Sequence, residues 1–375
     1  MTSFVFALLL GLCAKNALAS ASCSGIGMNA DSDRFMLRCR VSASSDACAD
    51  RENISHAEFL NRLSRISEMP GLRSLCLDVE FDSPHFVVDV GGFEGLTNLV
   101  SMSVKAPYEK MVILRNLGRL RNLPIKYLSL LHVDLENHQD LALLSGLKSF
   151  ETTLFSHTRH VCSEIESLSF RDAHRRGFVY LSRFRKLRKL CFLDVWCKGV
   201  PGVEAIDGLE SLVVRGQLPF YEDKIAGFRK LSKLTVCSSW STTFDPGWIY
   251  ATAPFGSLPL KSLCLQGTEL HKISDIETCP IVNLRITRSP IRSIDDICKI
   301  PTLKHLDVSE TAISKVDVRA AKLRFPNLET VAYTDDDGVS RQVDIEDTSA
   351  LKCEPKPSAD KPCGEGSLSV LDSDG

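Results

Sequence analysis

Residues 284–297, with the sequence LRITRSPIRSIDDI, carry two different apolar periods within fourteen positions. Leu284 and Ile286 alternate with polar residues, and three isoleucines then recur at every third residue from Ile291 to Ile297. The alternation predicts a short strand with both large side chains on one face. The three-residue period predicts a turn of tight helix, or an extended segment, that closes back over that face.

The same arrangement recurs along the chain. LCLQGTELHKISDI begins at Leu263 and LDVSETAISKV at Leu306, so three copies start 21 and 22 residues apart. A shorter motif, L-x-x-L-x-L, extends the series toward both ends, with about 23 residues between copies. Its strands open at Leu75, Met102, Leu128, Phe150, Leu168, Leu190, Leu212, Leu234, Leu263, Leu284, Leu306 and Val331. A repeat this short cannot bury its apolar side alone, so the twelve copies are expected to stack into one parallel sheet.

These repeats resemble the leucine-rich repeat family, in particular the short 22-residue type of internalin-like adhesins. The resemblance covers about residues 71–333. It implies an α/β solenoid, a right-handed superhelix with one parallel strand per repeat and short helical or extended convex segments. The family usually places Asn five residues after the opening leucine, where it ties down the corner backbone. Here those positions are Thr268, Ser289 and Thr311, whose hydroxyls bond the same backbone groups less completely, so looser corners are expected.

The first nineteen residues differ from the rest. The run FVFALLLGLCA is apolar but too short to span a bilayer, and Ala17-Leu18-Ala19 follows it. This pattern predicts a secretory signal peptide over residues 1–19. The remaining sequence has no second long apolar segment, so we expect a secreted, extracellular protein with no membrane span.

Two segments flank the repeats. Residues 20–70 hold three cysteines and an amphipathic run, which predict an N-terminal cap with one helix. Asn53 begins the sequon Asn-Ile-Ser and is a candidate glycosylation site. Residues 334–375 are acidic and poor in apolar residues, so a disordered tail is expected. Within it, Cys353 and Cys363 are a candidate disulfide.

Composition and motifs argue against several function classes. The 375 residues have a formal net charge of −2, so no global field attracts nucleic acid, and we expect no such partner. The fourteen cysteines lack the paired close spacings of a zinc site. Phosphate-binding glycine loops, HExxH and nucleophile elbows are missing from the sequence. We therefore predict no catalytic residue, cofactor or metal.

The side chains that alternate with the buried strand positions form the concave sheet face in the resembling family. This face is mixed in character and suits a moderately polar protein partner. Its candidate binding residues are Glu151, Arg171, Arg215, Arg285, His305 and Asp307. The long interval between Leu234 and Leu263 adds a candidate aromatic loop with Trp240, Trp248 and Tyr250. Those rings suit either a contact platform or a loop packed on itself.

The leading hypothesis is a secreted, non-catalytic recognition protein that binds another protein. The resemblance implies an adhesin, effector or inhibitor. One alternative is a binder of sulfated glycan or another polyanion that uses the basic flank around 171–233, although such cations also suit a solvated flank. FRKLRKL at 184–190 recurs there as FRKLSKL at 228–234. A second alternative is an enzyme such as a secreted cysteine ubiquitin ligase effector, for which the 42 residues after Tyr333 are too few.

Overall fold

The computed structural model describes residues 34–41, 53–54 and, with gaps, 61–345. The largest internal gaps are 174–180, 201–205, 217–224 and 238–257. The signal peptide predicted at 1–19 therefore lies outside the described residues, as does most of the predicted cap.

Eighteen strands are present in the described residues. In chain order they are β1 Arg34–Val41, β2 Asn53–Ile54, β3 Ser74–Phe81, β4 His85–Asp89, β5 Ser101–Lys105, β6 Met111–Arg115, β7 Tyr127–Leu131, β8 Val133–Leu135, β9 Ser149–Thr152, β10 Ser167–Arg171, β11 Lys189–Leu193, β12 Ser211–Arg215, β13 Lys233–Cys237, β14 Ser262–Gln266, β15 Asn283–Thr287, β16 His305–Asp307, β17 Thr330–Thr334 and β18 Ser340–Asp344. The helices whose bounds the structure describes are α1 Asp140–Leu143, α2 Val318–Arg324 and the 3₁₀ helices Gly91–Gly95, Leu117–Asn122, Phe155–Arg159 and Ile294–Asp296.

Fifteen of these strands form one long sheet, in the order β18-β17-β16-β15-β14-β13-β12-β11-β10-β9-β7-β5-β3-β1-β2. The twelve predicted strand openers pair directly with one another from Leu75 to Val331, and every one of those pairs is parallel. All twelve are at most 2% exposed. The predicted solenoid of stacked repeats is confirmed.

The opening stretch also folds as its two periods predict. Leu284 and Ile286 lie in β15 and are buried, and the isoleucines from Ile291 to Ile297 are buried on the opposite side of the repeat. The tight helix is the 3₁₀ turn Ile294–Asp296. Its capping box is complete, because the Ser293 hydroxyl accepts the Asp295 N–H at 3.1 Å and the Asp296 carboxylate accepts the Ser293 N–H at 3.0 Å.

A repeated backbone bond joins neighbouring repeats at the start of each strand. One carbonyl accepts two successive N–H groups from the following repeat, as Lys261 does from Val282 at 2.9 Å and Asn283 at 3.0 Å. The same pattern recurs in every repeat from Arg73 to Lys304. The Arg73 carbonyl, for example, accepts the N–H groups of Val100 and Ser101. These bonds satisfy backbone groups that the corner would otherwise leave unpaired.

The residue after the strand takes a left-handed conformation in many repeats. This position, four residues after the opener, has positive φ at His132, Asp172, Asp194, Gly216, Gly267, Arg288 and Glu310. Its N–H turns toward the next repeat, as in the bond from Gly267 to the Thr287 carbonyl at 2.8 Å. Glycine adopts this backbone without strain, and aspartate tolerates it better than most other residues.

We expect Gly267→Ala to lower the free energy of unfolding by about 1 kcal/mol, because φ at Gly267 is 66° and a Cβ makes that conformation costly. Gly227→Ala is the matched control, since a Cβ there meets nothing within 4 Å. Thermal unfolding of the two variants checks this, and equal losses of stability would contradict the strained-corner explanation.

The hydroxyls predicted at the corners do bond the backbone. The Ser289 hydroxyl donates to the Thr268 carbonyl of the preceding repeat at 3.0 Å, and the two side-chain oxygens lie 3.4 Å apart. In the next repeat, the Thr311 hydroxyl donates to the Val308 carbonyl at 2.6 Å and accepts the Ile313 N–H at 3.2 Å. A hydroxyl therefore takes over part of the role that the family assigns to asparagine.

A second, smaller sheet covers three of the early repeats. Strands β4, β6 and β8 pair in parallel, so these repeats use the extended form of the segment that closes the core. Further along the chain, beyond the smaller sheet, aromatic rings fill the core. Phe170 and Phe192 occupy paired positions on β10 and β11 and stack at 5.5 Å, and Phe155 meets Phe170 at 5.4 Å.

Both ends of the long sheet extend past the predicted repeats. At one end β1 pairs in parallel with β3 over eight residues, and β2 adds to its other side, within the segment predicted to be a cap. At the other end β18 pairs antiparallel with β17. The prediction of a disordered tail from residue 334 is therefore wrong for its first part. The turn at Asp335–Gly338 reverses the chain, and β18 then runs along β17 and provides hydrogen-bond partners for the edge of the sheet. Residues 346–375 lie outside the described residues.

Candidate functional site

The candidate site is the side of the long sheet that faces away from the core, here named the outer face. It consists of the residues that alternate with the buried positions of β3, β5, β7 and β9–β17. These strands repeat a pattern in which two residues are buried and their neighbours are exposed or half-buried, for example in β10, β11 and β12. Adjacent parallel strands lie about 4.8 Å apart, so the outer face presents its side chains in regular rows.

Glu151 and Arg171 form the first charged group of the outer face. Arg171 Nε lies 3.0 Å from Glu151 Oε1, and the Ser129 hydroxyl donates to Glu151 Oε2 at 2.8 Å. The three residues lie on β7, β9 and β10, which are consecutive in the sheet. The register between repeats therefore holds the carboxylate between two donors.

Arg215 belongs to a second group, and its partner was not among the predicted residues. Its Nε donates to Asp194 Oδ2 at 2.8 Å. Asp194 follows β11 at the left-handed corner position, with φ of 54°. Aspartate at that position, one repeat before an arginine at the end of the next strand, is a sequence signal that could have identified the pair.

Arg285, Asp307 and His305 form the third group. Arg285 Nε lies 3.0 Å from Asp307 Oδ2, and Asp307 Oδ1 also accepts the Ser309 N–H at 3.0 Å. His305 Nδ1 lies 3.0 Å from the Thr330 hydroxyl on β17. Arg285 remains the more accessible member of the ion pair, with a side chain 58% exposed against 29% for Asp307.

The six predicted residues thus fall into three groups along one face, and they do not converge on a single point. Arg171 and Arg215 are two strands apart, and Arg285 is three strands beyond Arg215. Such an arrangement offers separated charges to a broad partner surface and does not form a cavity around a small substrate. Tyr127, which was not among the predicted residues, is the first residue of β7. It lies on the same face and is 52% exposed.

Three cysteines of the outer face lie in surroundings that favour the neutral thiol. Burial raises the pKa of Cys191, Cys237 and Cys264 above that of an ordinary cysteine. Since the thiolate is the nucleophilic form, this environment is unlike that of a reactive cysteine. In the described part of the chain, Cys162, Cys191, Cys237 and Cys264 are free cysteines.

Two cations of the basic flank form ion pairs with acids of adjacent repeats. Lys186 pairs with Glu164, and Arg188 Nη1 lies 3.1 Å from Glu210 Oε1. Arg183 donates to the carbonyl of Arg159. These contacts leave less positive charge for a polyanion than the sequence FRKLRKL indicates.

Several predicted sites fall on undescribed positions. The aromatic residues Trp240, Trp248 and Tyr250 lie outside the described residues, and so do Cys353 and Cys363. The backbone of Asn53 belongs to β2 at the edge of the long sheet, but its side chain is outside the described part of the structure.

Comparisons with known proteins give structural similarities alone. No family model and no curated protein matches the sequence. An internalin (inlF) of Listeria monocytogenes is similar in structure at 13% identity and a TM-score of 0.41, over 78% of this chain and 85% of that one. A leucine-rich repeat protein of Leptospira interrogans is similar at 14% identity and a TM-score of 0.34, over 71% of this chain and 91% of that one.

The described helices are all too short or too polar to cross a membrane. The architecture is defined by the chain's own repeats: twelve openers of the L-x-x-L-x-L motif lie in register on adjacent parallel strands, with their side chains buried. The described part of the chain is a solenoid of stacked repeats, each with one strand whose buried opening residue is leucine or another apolar residue.

Proposed function

We propose that this protein is a secreted, non-catalytic recognition protein that binds another protein through its outer face. The observation that carries the proposal is the division of each strand into two sides. One side is completely buried, while the other holds three separate charged groups in fixed register, built around Glu151, Arg215 and Arg285. Because these side chains contact one another and not the core, they remain available to a partner.

The internal ion pairs prepare the face for binding. Exposed ion pairs add little to stability, because the charges are already well solvated. They do restrict the side chains, so a partner that offers complementary charges loses less conformational entropy when it binds. Tyr127 adds an exposed aromatic side chain of the kind that often anchors a protein interface.

Two further observations support the secreted and non-catalytic parts of the proposal. The sequence of residues 1–19 has the features of a signal peptide. Burial raises the pKa of Cys191 and Cys264, which disfavours a thiolate mechanism at these two residues.

The experiment is affinity capture from extracellular fluid or cell-surface extract, with the full chain as bait and a charge-swapped variant in parallel. Arg285→Asp combined with Asp307→Arg preserves the net charge and the ion pair but inverts the pattern that a partner meets. We expect at least about a tenfold loss of the captured protein, since each interfacial charge that meets its like costs free energy. Quantitative mass spectrometry of the captured proteins gives the ratio.

The matched control is the swap Lys148→Glu with Glu166→Lys, a pair outside the outer face whose atoms lie 3.0 Å apart, as in the Arg285–Asp307 pair, and which is also partly exposed. The control is expected to capture the same protein as the wild type. Capture that survives the outer-face swap, or that is lost equally in both swaps, would contradict binding through the outer face.

A further inference from the structure

A cluster of imidazole and carboxylate groups lies on the second sheet, away from the outer face. Asp134 is the middle residue of β8, between the buried Val133 and Leu135, so its side chain points out of the core. His138 follows four residues later, and His157 comes from the 3₁₀ helix Phe155–Arg159 of the next repeat. Two neighbouring repeats thus contribute to one cluster.

The distances within the cluster match those between ligands of one metal ion. Asp134 Oδ1 lies 3.2 Å from His138 Nε2 and 3.6 Å from His157 Nε2. One ligand atom from each of the three residues lies within 4.8 Å of the others. Two tetrahedral ligands, each about 2.1 Å from zinc, are about 3.4 Å apart. The cluster therefore requires little movement to close around an ion.

His157 is the strongest indication of a missing ligand. Its side chain is fully buried, yet its Nε2 has no hydrogen-bond partner. The 3.6 Å to Asp134 exceeds hydrogen-bonding distance. A buried polar atom left without a partner is costly, and most such atoms in folded proteins have a protein group, a water or an ion beside them.

The opposite side of the His157 ring is already held in place. Its Nδ1 lies 2.9 Å from the Thr152 hydroxyl, which also accepts the Leu154 N–H at 3.0 Å. With the imidazole proton on Nδ1, the ring donates to Thr152, and the Nε2 lone pair points toward Asp134. A hydrogen bond from the distal nitrogen is the usual way in which proteins orient a metal-binding histidine.

His138 is the more accessible of the two histidines, with a side chain 29% exposed against 0% for His157. Its ring centroid lies 5.3 Å from that of His157, and its Nδ1 is buried without a hydrogen-bond partner.

We propose that Asp134, His138 and His157 bind one divalent transition metal ion of the zinc type, with water in the fourth position. Two imidazoles and one carboxylate are a ligand set that zinc accepts. Because the ligands come from two adjacent repeats, the ion would join those repeats and stabilise them. This site is independent of binding at the outer face.

The test is zinc titration of the metal-free full chain by isothermal calorimetry, together with thermal unfolding with and without zinc. The wild type is expected to bind one zinc ion per chain and to unfold at a higher temperature when zinc is present. Asp134→Asn and His138→Ala are each expected to weaken binding at least about tenfold and to remove the thermal shift. Both side chains are partly exposed, so these variants are expected to fold.

A control and a spectrum separate this site from adventitious binding. His305→Ala removes an exposed histidine of the outer face and is expected to leave zinc binding unchanged. Cobalt in place of zinc is expected to give a spectrum of nitrogen and oxygen ligands without thiolate charge transfer. Failure of the wild type to bind one equivalent would overturn the proposal, as would binding that survives Asp134→Asn and His138→Ala or that shows thiolate ligation.

Discussion

Phe192→Ala is expected to lower the free energy of unfolding by about 3–5 kcal/mol. Phe192 is completely buried on β11, and its ring stacks on Phe170 of the preceding repeat at an interplanar angle of 13°. The change removes a large apolar side chain and leaves a cavity between two repeats, where the backbone hydrogen bonds of the sheet restrict collapse. Urea denaturation, followed by circular dichroism, measures the loss.

Leu193→Ala is the matched control for this prediction. Leu193 is the next residue of the same strand, but it lies on the outer face and is only half-buried. Its removal is expected to cost less than about 1.5 kcal/mol, because fewer contacts are lost. If the two substitutions destabilised the protein equally, the assignment of inner and outer sides to β11 would be wrong.

Ile286→Asp is expected to cost more than about 4 kcal/mol in the repeats around it, because it forces a carboxyl group into an apolar core. Ile286 is 0% exposed and pairs with Leu265 on β14. In a solenoid each repeat contacts only its neighbours, so the damage is expected to stay local. Hydrogen exchange should show lost protection in β14–β16, with protection largely kept in β7–β10.

Arg285→Ala is the control for a substitution in the same strand that does not reach the core, since Arg285 precedes Ile286 and faces outward. It is expected to leave exchange in β14 and β16 close to that of the wild type. Equal loss of protection in β7–β10 and β14–β16 after Ile286→Asp would contradict the local coupling expected of stacked repeats.

The sequence predicts the long sheet well because the strand signal is strong and repeated. Apolar and polar residues alternate at positions such as Leu284 and Ile286, and this alternation returns every 21–23 residues over most of the array. Only one register between neighbouring strands then buries all the apolar side chains. The three-residue period likewise predicts the 3₁₀ turn Ile294–Asp296. In these segments local preference and stacking favour the same structure.

Other features were not predictable, because they depend on contacts between repeats. Strand β18 lies in a polar segment whose own pattern does not indicate burial, and it forms because β17 leaves an edge to be paired. Strands β4, β6 and β8 have sequences that fit either a helical or an extended closing segment, and pairing with one another selects the extended form.

The same reason explains what was missed at the functional sites. Asp194 lies 21 residues from Arg215, and Asp134 lies 23 residues from His157, so neither pair forms a short motif. Each spacing is close to one repeat, which brings the residues together across adjacent repeats. In the sequence, both pairs are visible as charged or imidazole side chains at positions one repeat apart.

An experimental determination of the strand register in the full chain tests the stacked-repeat description. We expect a crystal structure to show Leu263, Leu284 and Leu306 side by side on three parallel strands, with Leu284 and Ile286 directed into the core. Antiparallel pairing among these strands, or Leu284 and Ile286 facing solvent, would contradict it.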